Sequence, residues 1–384
     1  MNAPAKPYYV ILTGSKNNAG DFLIKHRAKQ LFSFLRPDRH LIDLDAWRPI
    51  DSHTLDIVNR SQATILTGGP ALQQNMYPNV YSLVDDLARI TCPITTMGIG
   101  WYSLTGRWED THHYPLSDQT LKLLHRIESD GLVSSVRDYH TLNTLACHGF
   151  KNFIMTGCPA LYSLEHLDTP TEPLSQVRKI GVSLGVTLKS SKRMFRQMQN
   201  VVLMLKDKFK NESVEVVFHH SLSPDYLCTH GASKDLYNAQ QRFAEWLAAN
   251  DIRYIDVSGS AEKLMEYYAS CDIHIGYRVH AHIYMNSISK PSVLLSEDGR
   301  GIALKEVLSG CNLIAYSNIR NGKTFKALRK LFIPLDRYTP TPNLPGDLEQ
   351  ILDAELLGGT RLVQPSQLIK LHYSVMERYF ADLP

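Results

Sequence analysis

The sequence predicts an α/β protein with two tandem domains, each built on a doubly wound parallel sheet. Short apolar runs that end in Gly, Asn or Asp alternate with longer amphipathic stretches, a pattern typical of parallel strands and their connecting helices. The alternation stops at the polar, proline-containing stretch 167–175 and then begins again. The length of 384 residues also fits two domains. We place them at residues 1–166 and 177–345, followed by a C-terminal segment at 346–384.

The first domain contains four predicted strands and three predicted helices. Each strand is a run of mostly apolar residues, as expected for parallel strands that are buried on both faces. The helices carry apolar residues at helical spacing. The strands are 8–13, 63–67, 94–97 and 132–136, and the helices are 21–35, 79–90 and 117–129.

The second domain repeats this alternation. Its predicted strands are 179–184, 214–218, 252–257, 273–275 and 292–295, and its predicted helices are 192–209, 238–249, 261–270 and 283–289. The stretch 366–380 again has helical spacing. We expect this terminal helix to pack back on the first domain.

Composition and charge exclude several classes of function. The chain has 41 Lys and Arg against 38 Asp and Glu, so it lacks the basic excess of a nucleic-acid-binding protein. Its six cysteines are scattered without a C-x-x-C pair, which favours reduced thiols over disulfides or a zinc site. No apolar stretch reaches about 18 residues, the length that suggests a membrane span. The N-terminus also lacks the apolar core of a signal peptide, so we expect a cytoplasmic protein.

Three predicted strands of the first domain end in glycine-rich loops. The first runs into a loop with Asn18, Gly20 and Asp21 before a helix, where backbone N–H groups could bind an anion or a sugar hydroxyl. This loop matches neither the P-loop nor the dinucleotide-binding glycine pattern. Strand ends of an open parallel sheet meet at one edge, so the loops could form one ligand site, although tight turns would explain each of them alone. The glycines after the other two strands are Gly68, Gly69, Gly98 and Gly100.

Two arginines follow predicted strands. Arg137 presents a planar fork that suits a carboxylate or a phosphate, although a surface ion pair with Asp138 or a helix cap is the alternative. Arg278 and His280 lie where a strand passes into a helix, the usual place for site residues in this architecture. A charged arginine with a titratable histidine can hold an anion and move a proton. Ordinary helix-start residues are the alternative for this pair.

Other histidines and a D-x-D pattern carry less information. His274 and His282 stand near His280, but no Cys or carboxylate follows at ligand spacing, so we expect neither a metal ion nor another cofactor. The pairs 112–113 and 219–220 are expected at the surface or in loops. We expect 43–45, which matches the D-x-D of some glycosyltransferases, to end a strand.

Taken in order, these segments resemble the polysaccharide pyruvyl transferase family over roughly residues 8–310. The order of the short motifs carries the resemblance, since none of them is specific alone. They are Asn18, Gly20 and Asp21; Gly68 and Gly69; Gly98 and Gly100; Val136, Arg137 and Asp138; Thr156, Gly157, Pro159 and Ala160; and Arg278, His280 and Ile283.

The resemblance implies a fold and an activity. The fold is two Rossmann-like domains that face a central cleft, similar to GT-B glycosyltransferases. The activity is transfer of the pyruvyl group of phosphoenolpyruvate onto two hydroxyls of a sugar in a cell-surface polysaccharide or its precursor, which gives a cyclic ketal. A lipid could carry that acceptor, in which case we expect peripheral contact with the inner face of the membrane. The acceptor sugar, the ketal stereochemistry and the oligomeric state stay open.

The chain departs from the family's pattern at two places. Cys158 stands where the family usually has Asp, which puts a carboxylate role there in doubt. Lys is common after the final strand, where this chain has Asp298, Gly299 and Arg300. We expect Arg300 to keep the positive charge and to contribute to substrate binding.

Phosphoenolpyruvate carries a phosphate and a carboxylate, and its pocket therefore needs at least two cationic or N–H-rich subsites. Arg278 and Arg137 are the predicted anion-binding residues, and His280 is the predicted proton donor. Asp21 is expected to orient or deprotonate an acceptor hydroxyl. Two alternatives stay open: a glycosyltransferase of the same architecture that uses a nucleotide sugar, and a non-catalytic saccharide-binding protein.

Overall fold

The computed structural model describes residues 6–14, 18–228, 232–320 and 336–384. Within these residues the chain forms two compact units. The first unit comprises 6–14, 21–168 and 367–384, and the second comprises 18–20 and the described part of 169–366. The division after residue 168 falls within the polar stretch 167–175. Residues 346–366, which the sequence grouped with the C-terminal segment, belong to the second unit.

The first unit is built on parallel strands. Four of them form one sheet in the order β2-β1-β3-β4, and β5 pairs with β6. A bridge between Ile99 and Val136 links the chain beyond β4 to β5. The strands are β1 Tyr8–Thr13, β2 His40–Asp45, β3 Thr64–Thr67, β4 Ile94–Met97, β5 Ser134–Val136 and β6 Phe153–Met155. The helices before the linker are α1 Ala19–Leu35, α2 Ser52–Asn59, α3 Glu109–His112, α4 Asp118–Ser129 and α5 Tyr139–Cys147.

The second unit has six parallel strands in the order β12-β11-β10-β7-β8-β9. They are β7 Lys179–Ser183, β8 Ser213–Phe218, β9 Arg253–Asp256, β10 Ile273–Gly276, β11 Ser292–Ser296 and β12 Cys311–Ile314. A two-stranded antiparallel sheet pairs β13 Tyr316–Ile319 with β14 Tyr338–Pro340. The remaining helices are α6 Lys192–Lys208, α7 Lys234–Ala249, α8 Ala261–Ala269, α9 Val279–Ser287, α10 Gly299–Leu308, α11 Leu344–Leu356 and α12 Gln364–Ala381.

The strand orders locate one crevice in each unit. In the first unit, β2 is added on one side of β1 and β3 on the other, so the strand order reverses between β1 and β3. The same reversal lies between β7 and β10 in the second unit. Connections diverge to opposite faces at such a switch point, and ligands of open α/β sheets bind there, beyond the carboxyl ends of the strands. The residues after β1, β3, β7 and β10 are therefore the first candidates for a site.

Buried apolar residues and helix caps explain these elements. Ile180, Val182, Ile273 and Ile275 of the central strands are almost completely buried, as expected for a parallel sheet that helices cover on both faces. At several helix starts, a side-chain oxygen accepts a hydrogen bond from the N–H of the third residue along. These caps are Ser117, Asp138, Ser191, Ser233 and Ser260.

The C-terminal helix packs within the first unit. The Phe380 ring lies 4.7 Å from the Phe32 ring of α1, and the Tyr373 ring lies 5.4 Å from that of Tyr162. Arg36 at the end of α1 donates a hydrogen bond to the Phe380 carbonyl at 3.3 Å.

The predicted helix 79–90 is wrong. This region contains a wide turn at Met76–Val80 and a short 3-10 turn at Leu87–Arg89. The Tyr77 hydroxyl donates to the Val84 and Asp85 carbonyls, and the Asp86 side chain accepts from Ala88 N. Side chains therefore satisfy backbone groups that a continuous helix would have paired internally.

Two expectations from composition can be compared with the structure. All six cysteines are free. Among the residues that the structure describes, no helix is both long enough and apolar enough to cross a bilayer.

Candidate functional site

Arg278 lies at the switch point of the second unit. It is the N-cap residue of α9, two residues after the end of β10, and its backbone N–H donates to the Ser183 hydroxyl of β7 at 3.0 Å. Gly276 allows this approach, because a Cβ atom there would overlap the Ser183 backbone. The close contact between β7 and β10 thus places Arg278 beyond the carboxyl ends of both strands.

The guanidinium of Arg278 is held by a histidine. Its Nη2 donates to His220 Nδ1 at 3.0 Å, whereas its buried Nε has no hydrogen-bond partner among the residues that the structure describes. Burial lowers the pKa of Arg278, and the nearby Glu297 carboxylate opposes that shift. An arginine side chain stays charged in proteins, so this site contains a cation with an unsatisfied donor.

His280 lies in the first turn of α9, 9% exposed. It packs against Gly20, where a Cβ atom would overlap the imidazole at Nδ1. The Asn18 side chain accepts a hydrogen bond from Gly20 N at 3.2 Å. The second unit therefore brings together the predicted loop residues Asn18 and Gly20 with the predicted histidine.

His274 and His282 belong to the core of the second unit. His274 lies 2.8 Å from the hydroxyls of both Ser183 and Ser292, and His282 Nδ1 lies 2.7 Å from Ser292 Oγ. Burial lowers the pKa of His282 to about 3 and holds that of His274 well below its usual value. Both imidazoles are neutral and already hydrogen-bonded. Within the described ranges, no group of three His, Cys, Asp or Glu side chains could hold a metal ion.

His219 and His220 lie in the loop after β8, one of the two places expected for them, but they are not at the surface. His219 is 1% exposed, and its Nε2 lies 2.8 Å from the Tyr268 hydroxyl. His220 contacts Arg278. Both residues directly follow β8, which lies next to the central strand β7 in the sheet. This position places them at the edge of the sheet where Arg278 also lies. Two consecutive polar residues at the end of an apolar strand were the available signal.

Arg300 is paired with a carboxylate. Its Nε lies 3.1 and 3.0 Å from the two Asp298 oxygens, and its Nη2 lies 2.7 Å from Oδ2. Asp298 also caps α10 by accepting from Arg300 N at 3.0 Å. The positive charge that the sequence assigned to substrate binding is thus balanced locally.

Glu297 is a buried carboxylate that the sequence did not single out. It accepts from Val186 N at 2.7 Å, and from Thr187 N and Oγ1 at 2.9 and 2.6 Å. The group follows β11 and fixes the loop after β7. Its proximity to Arg278 contributes negative charge to the same edge of the sheet.

In the first unit, glycines bring Asp21 to the strand ends. Gly68 and Gly69 have φ values of +61° and +70°, a backbone conformation that glycine adopts without strain. A Cβ atom at Gly68 would overlap Ile24 of α1, and one at Gly69 would lie 3.9 Å from Asp21 Oδ1. The first turn of α1 therefore lies directly against the turn that follows β3.

Arg137 is buried at the end of β5, 5% exposed. Its Nε donates to Asp138 Oδ2 at 3.3 Å, and no hydrogen-bond partner for its buried Nη2 is found in the described ranges. The guanidinium lies against Gly100, where a Cβ atom would overlap Nε. Because both residues are buried, the Arg137–Asp138 contact is not the surface pair that the sequence left open. Asp138 is also the cap of α5, through Thr141 N at 2.7 Å.

Cys158 and Tyr81 complete the surroundings of these charges. Burial raises the pKa of Cys158 to about 11 against the opposing effect of Arg137, so the thiol stays protonated near neutral pH. Pro159, the residue after Cys158, packs against Gly98 and leaves no room for a Cβ atom there. No described residue forms a hydrogen bond with the buried Tyr81 hydroxyl, and burial and Asp21 both raise the pKa of Tyr81. Cys158 and Tyr81 are thus neutral groups close to the charged side chains of Asp21 and Arg137, to which the sequence assigned a role.

Solved structures resemble the chain over nearly its whole length. The UDP-GlcNAc 2-epimerase of Methanocaldococcus jannaschii, in complex with UDP-GlcNAc and UDP, has a TM-score of 0.50 at 9% identity and covers 97% of this chain and 99% of that one. The UDP-GlcNAc 2-epimerase of Neisseria meningitidis, bound to UDP-GlcNAc, has a TM-score of 0.49 at 11% identity, with 97% and 100% covered. At these identities the likeness concerns the fold alone. The predicted fold class, with two Rossmann-like α/β domains, is confirmed.

Sequence comparison gives the family. No curated protein matches the chain. Residues 18–284, more than half of the chain, match the model of the family described as polysaccharide pyruvyl transferase. The matched range begins at Asn18 and extends past His280, so it contains every predicted site residue except Arg300. The chain therefore belongs to the polysaccharide pyruvyl transferase family, which implies a transferase with a sugar acceptor.

Proposed function

We propose that the protein transfers the pyruvyl group of phosphoenolpyruvate onto two hydroxyls of a sugar, forming a cyclic ketal on a cell-surface polysaccharide or its precursor. The observation that carries the proposal is the placement of Arg278 and His280 together at the start of α9, where the buried Nε of Arg278 has no partner within the described part of the chain. A ligand that carries both a phosphate and a carboxylate matches a cation beside a helix N-terminus.

The chemistry requires one proton donor and one proton acceptor. His280 would protonate the methylene carbon of phosphoenolpyruvate, which leaves an oxocarbenium-like centre at the adjacent carbon. A sugar hydroxyl attacks that centre and loses its proton, and the C–O bond to phosphate then breaks. A second hydroxyl of the same sugar closes the ketal as its proton returns to His280, and the released phosphate takes up the proton of the first hydroxyl. Arg278 would hold the phosphate or the carboxylate throughout.

Two further charged residues, Asp21 and Arg137, have predicted roles. Asp21 would orient an acceptor hydroxyl and accept its proton. Arg137, with its unpartnered Nη2, would bind a further anionic or hydroxyl oxygen of the substrates. The protonated Cys158 cannot replace a carboxylate in this role. Arg300 is the weakest of the predicted binding residues, because Asp298 already balances its charge.

A glycosyltransferase that uses a nucleotide sugar is the main alternative. Such an enzyme needs groups that hold the ribose, and Glu297 is a buried carboxylate at the strand edge of the second unit. Its two oxygens already accept three hydrogen bonds from the loop after β7. This arrangement favours the phosphoenolpyruvate hypothesis. A non-catalytic saccharide-binding protein would need neither a buried Arg278 donor nor His280 beside it.

Calorimetric titration of the full chain tests the proposal. We expect phosphoenolpyruvate to bind with a measurable heat, and uridine and guanosine diphosphates to bind at least about tenfold more weakly, a difference of about 1.4 kcal/mol. Tighter binding of either nucleotide would overturn the proposal in favour of the glycosyltransferase. Absence of binding by all three would favour the saccharide-binding alternative.

A further inference from the structure

We infer that His220 is a positioning residue of the donor site: it fixes the orientation of Arg278 without cancelling the charge that the donor needs. The inference rests on the proposed function in taking phosphoenolpyruvate as the ligand of Arg278. His220 lies 58 residues before Arg278 along the chain, so the sequence did not connect the two residues.

The contact is specific and His220 is itself well held. His220 Nδ1 accepts from Arg278 Nη2 at 3.0 Å. The His220 carbonyl accepts from Gln240 of α7 at 2.9 Å, which anchors the backbone beyond β8. The ring packs edge-on against Tyr226, with the ring centres 5.9 Å apart and an angle of 89° between the planes.

The hydrogen bond requires the unprotonated Nδ1, since only that nitrogen has a lone pair for the arginine. Burial holds the pKa of His220 well below its usual value, and the charges of Arg278, Arg300 and Lys189 act in the same direction. The imidazole is therefore neutral, and its ring proton is on Nε2.

A neutral acceptor has a consequence that a carboxylate would not have. Asp298 holds Arg300 through several contacts and balances its charge. His220 holds Arg278 through one contact and leaves the positive charge in place, with the Nε donor unused. A guanidinium fixed in advance loses less side-chain entropy when an anion binds. The two arginines thus differ in function because their partners differ in charge.

Three substitutions at His220 separate positioning from packing. His220→Phe keeps a planar ring and removes the acceptor, His220→Asn restores an acceptor near the position of Nδ1, and His220→Asp restores an acceptor that carries charge. We expect His220→Phe to raise the KM for phosphoenolpyruvate and the calorimetric Kd by about 10- to 100-fold, the range for a hydrogen bond to a charged group. We expect kcat to change much less.

The other two variants give the decisive comparison. His220→Asn should recover most of the lost affinity, whereas His220→Asp should bind phosphoenolpyruvate no better than His220→Phe, because its carboxylate competes with the donor for Arg278. The control is His219→Gln, which changes the buried neighbour that contacts Tyr268 and should alter thermal stability without altering KM.

Two results would overturn the inference: wild-type affinity in a folded His220→Phe protein, or equal affinities for His220→Asn and His220→Asp. If His220→Phe does not fold, the comparison of Asn with Asp still decides. Failure of the proposed function is a distinct outcome, because the wild-type protein would then not bind phosphoenolpyruvate at all.

Discussion

Arg278→Ala is expected to weaken phosphoenolpyruvate binding by about 2–4 kcal/mol, which corresponds to roughly 30- to 1000-fold in Kd. The variant removes the guanidinium that His220 holds at the switch point of the second unit. The fold should survive, because Arg278 caps α9 through its backbone and not through its side chain. Calorimetric titration with phosphoenolpyruvate measures the loss, and thermal unfolding checks the fold.

Arg300→Ala is the matched comparison for this prediction. Arg300 is paired with Asp298 and lies at the start of α10, so its loss should weaken phosphoenolpyruvate binding by less than about tenfold. A folded Arg278→Ala protein with wild-type affinity would remove Arg278 from the site. If Arg300→Ala weakened phosphoenolpyruvate binding more than Arg278→Ala, then Arg300 and not Arg278 would be the main cation that binds phosphoenolpyruvate.

His280→Asn is expected to lower kcat by roughly 10²–10⁴, the usual range for loss of a general acid or base. The KM for phosphoenolpyruvate should move much less, since binding would depend on the arginines. The protonated imidazole is the active form in this mechanism. The wild-type rate should therefore fall as rising pH removes that proton, and this limb of the profile should be absent in the variant.

His282→Asn is the control for the pH profile. His282 lies two residues further along α9 but contacts Ser292 in the core, so its loss should affect stability and leave the alkaline limb in place. Normal turnover with weakened donor binding in His280→Asn would show that His280 only holds the phosphate. The proton donor would then have to be another group.

The sequence predicted the central strands well because their burial leaves a simple pattern. The bounds of β1 and β4 agree with the predicted runs 8–13 and 94–97, since strands covered on both faces are continuous apolar segments. The sequence predicted only the end of β2, at 43–45, because β2 is an edge strand of intermediate burial and lacks a continuous apolar run. The charged residue Asp43 interrupts the apolar pattern of β2, and it forms ion pairs with Lys25 and Lys29 in the structure.

The candidate site was predictable in part, for a related reason. Glycines and arginines at strand ends can be recognised from the sequence, because each of them comes shortly after its own strand. The partners of those residues come from other strands and cannot be found in that way. His220 meets Arg278 because β8 and β10 both lie next to β7 in the sheet. The pairing of Arg300 with Asp298 was within reach of the sequence, since the two residues form a cap at a helix start.

Transfer of label from phosphoenolpyruvate to a sugar is the most direct test of the central claim. Phosphoenolpyruvate labelled in its carboxyl carbon would be incubated with the full chain and a panel of aryl hexosides, with UDP-sugars on the same panel in parallel. If the proposal is right, we expect a labelled hexoside, one phosphate released for each label transferred, and loss of both products in His280→Asn. A hexoside extended from a UDP-sugar, with the label left in phosphoenolpyruvate, would contradict it.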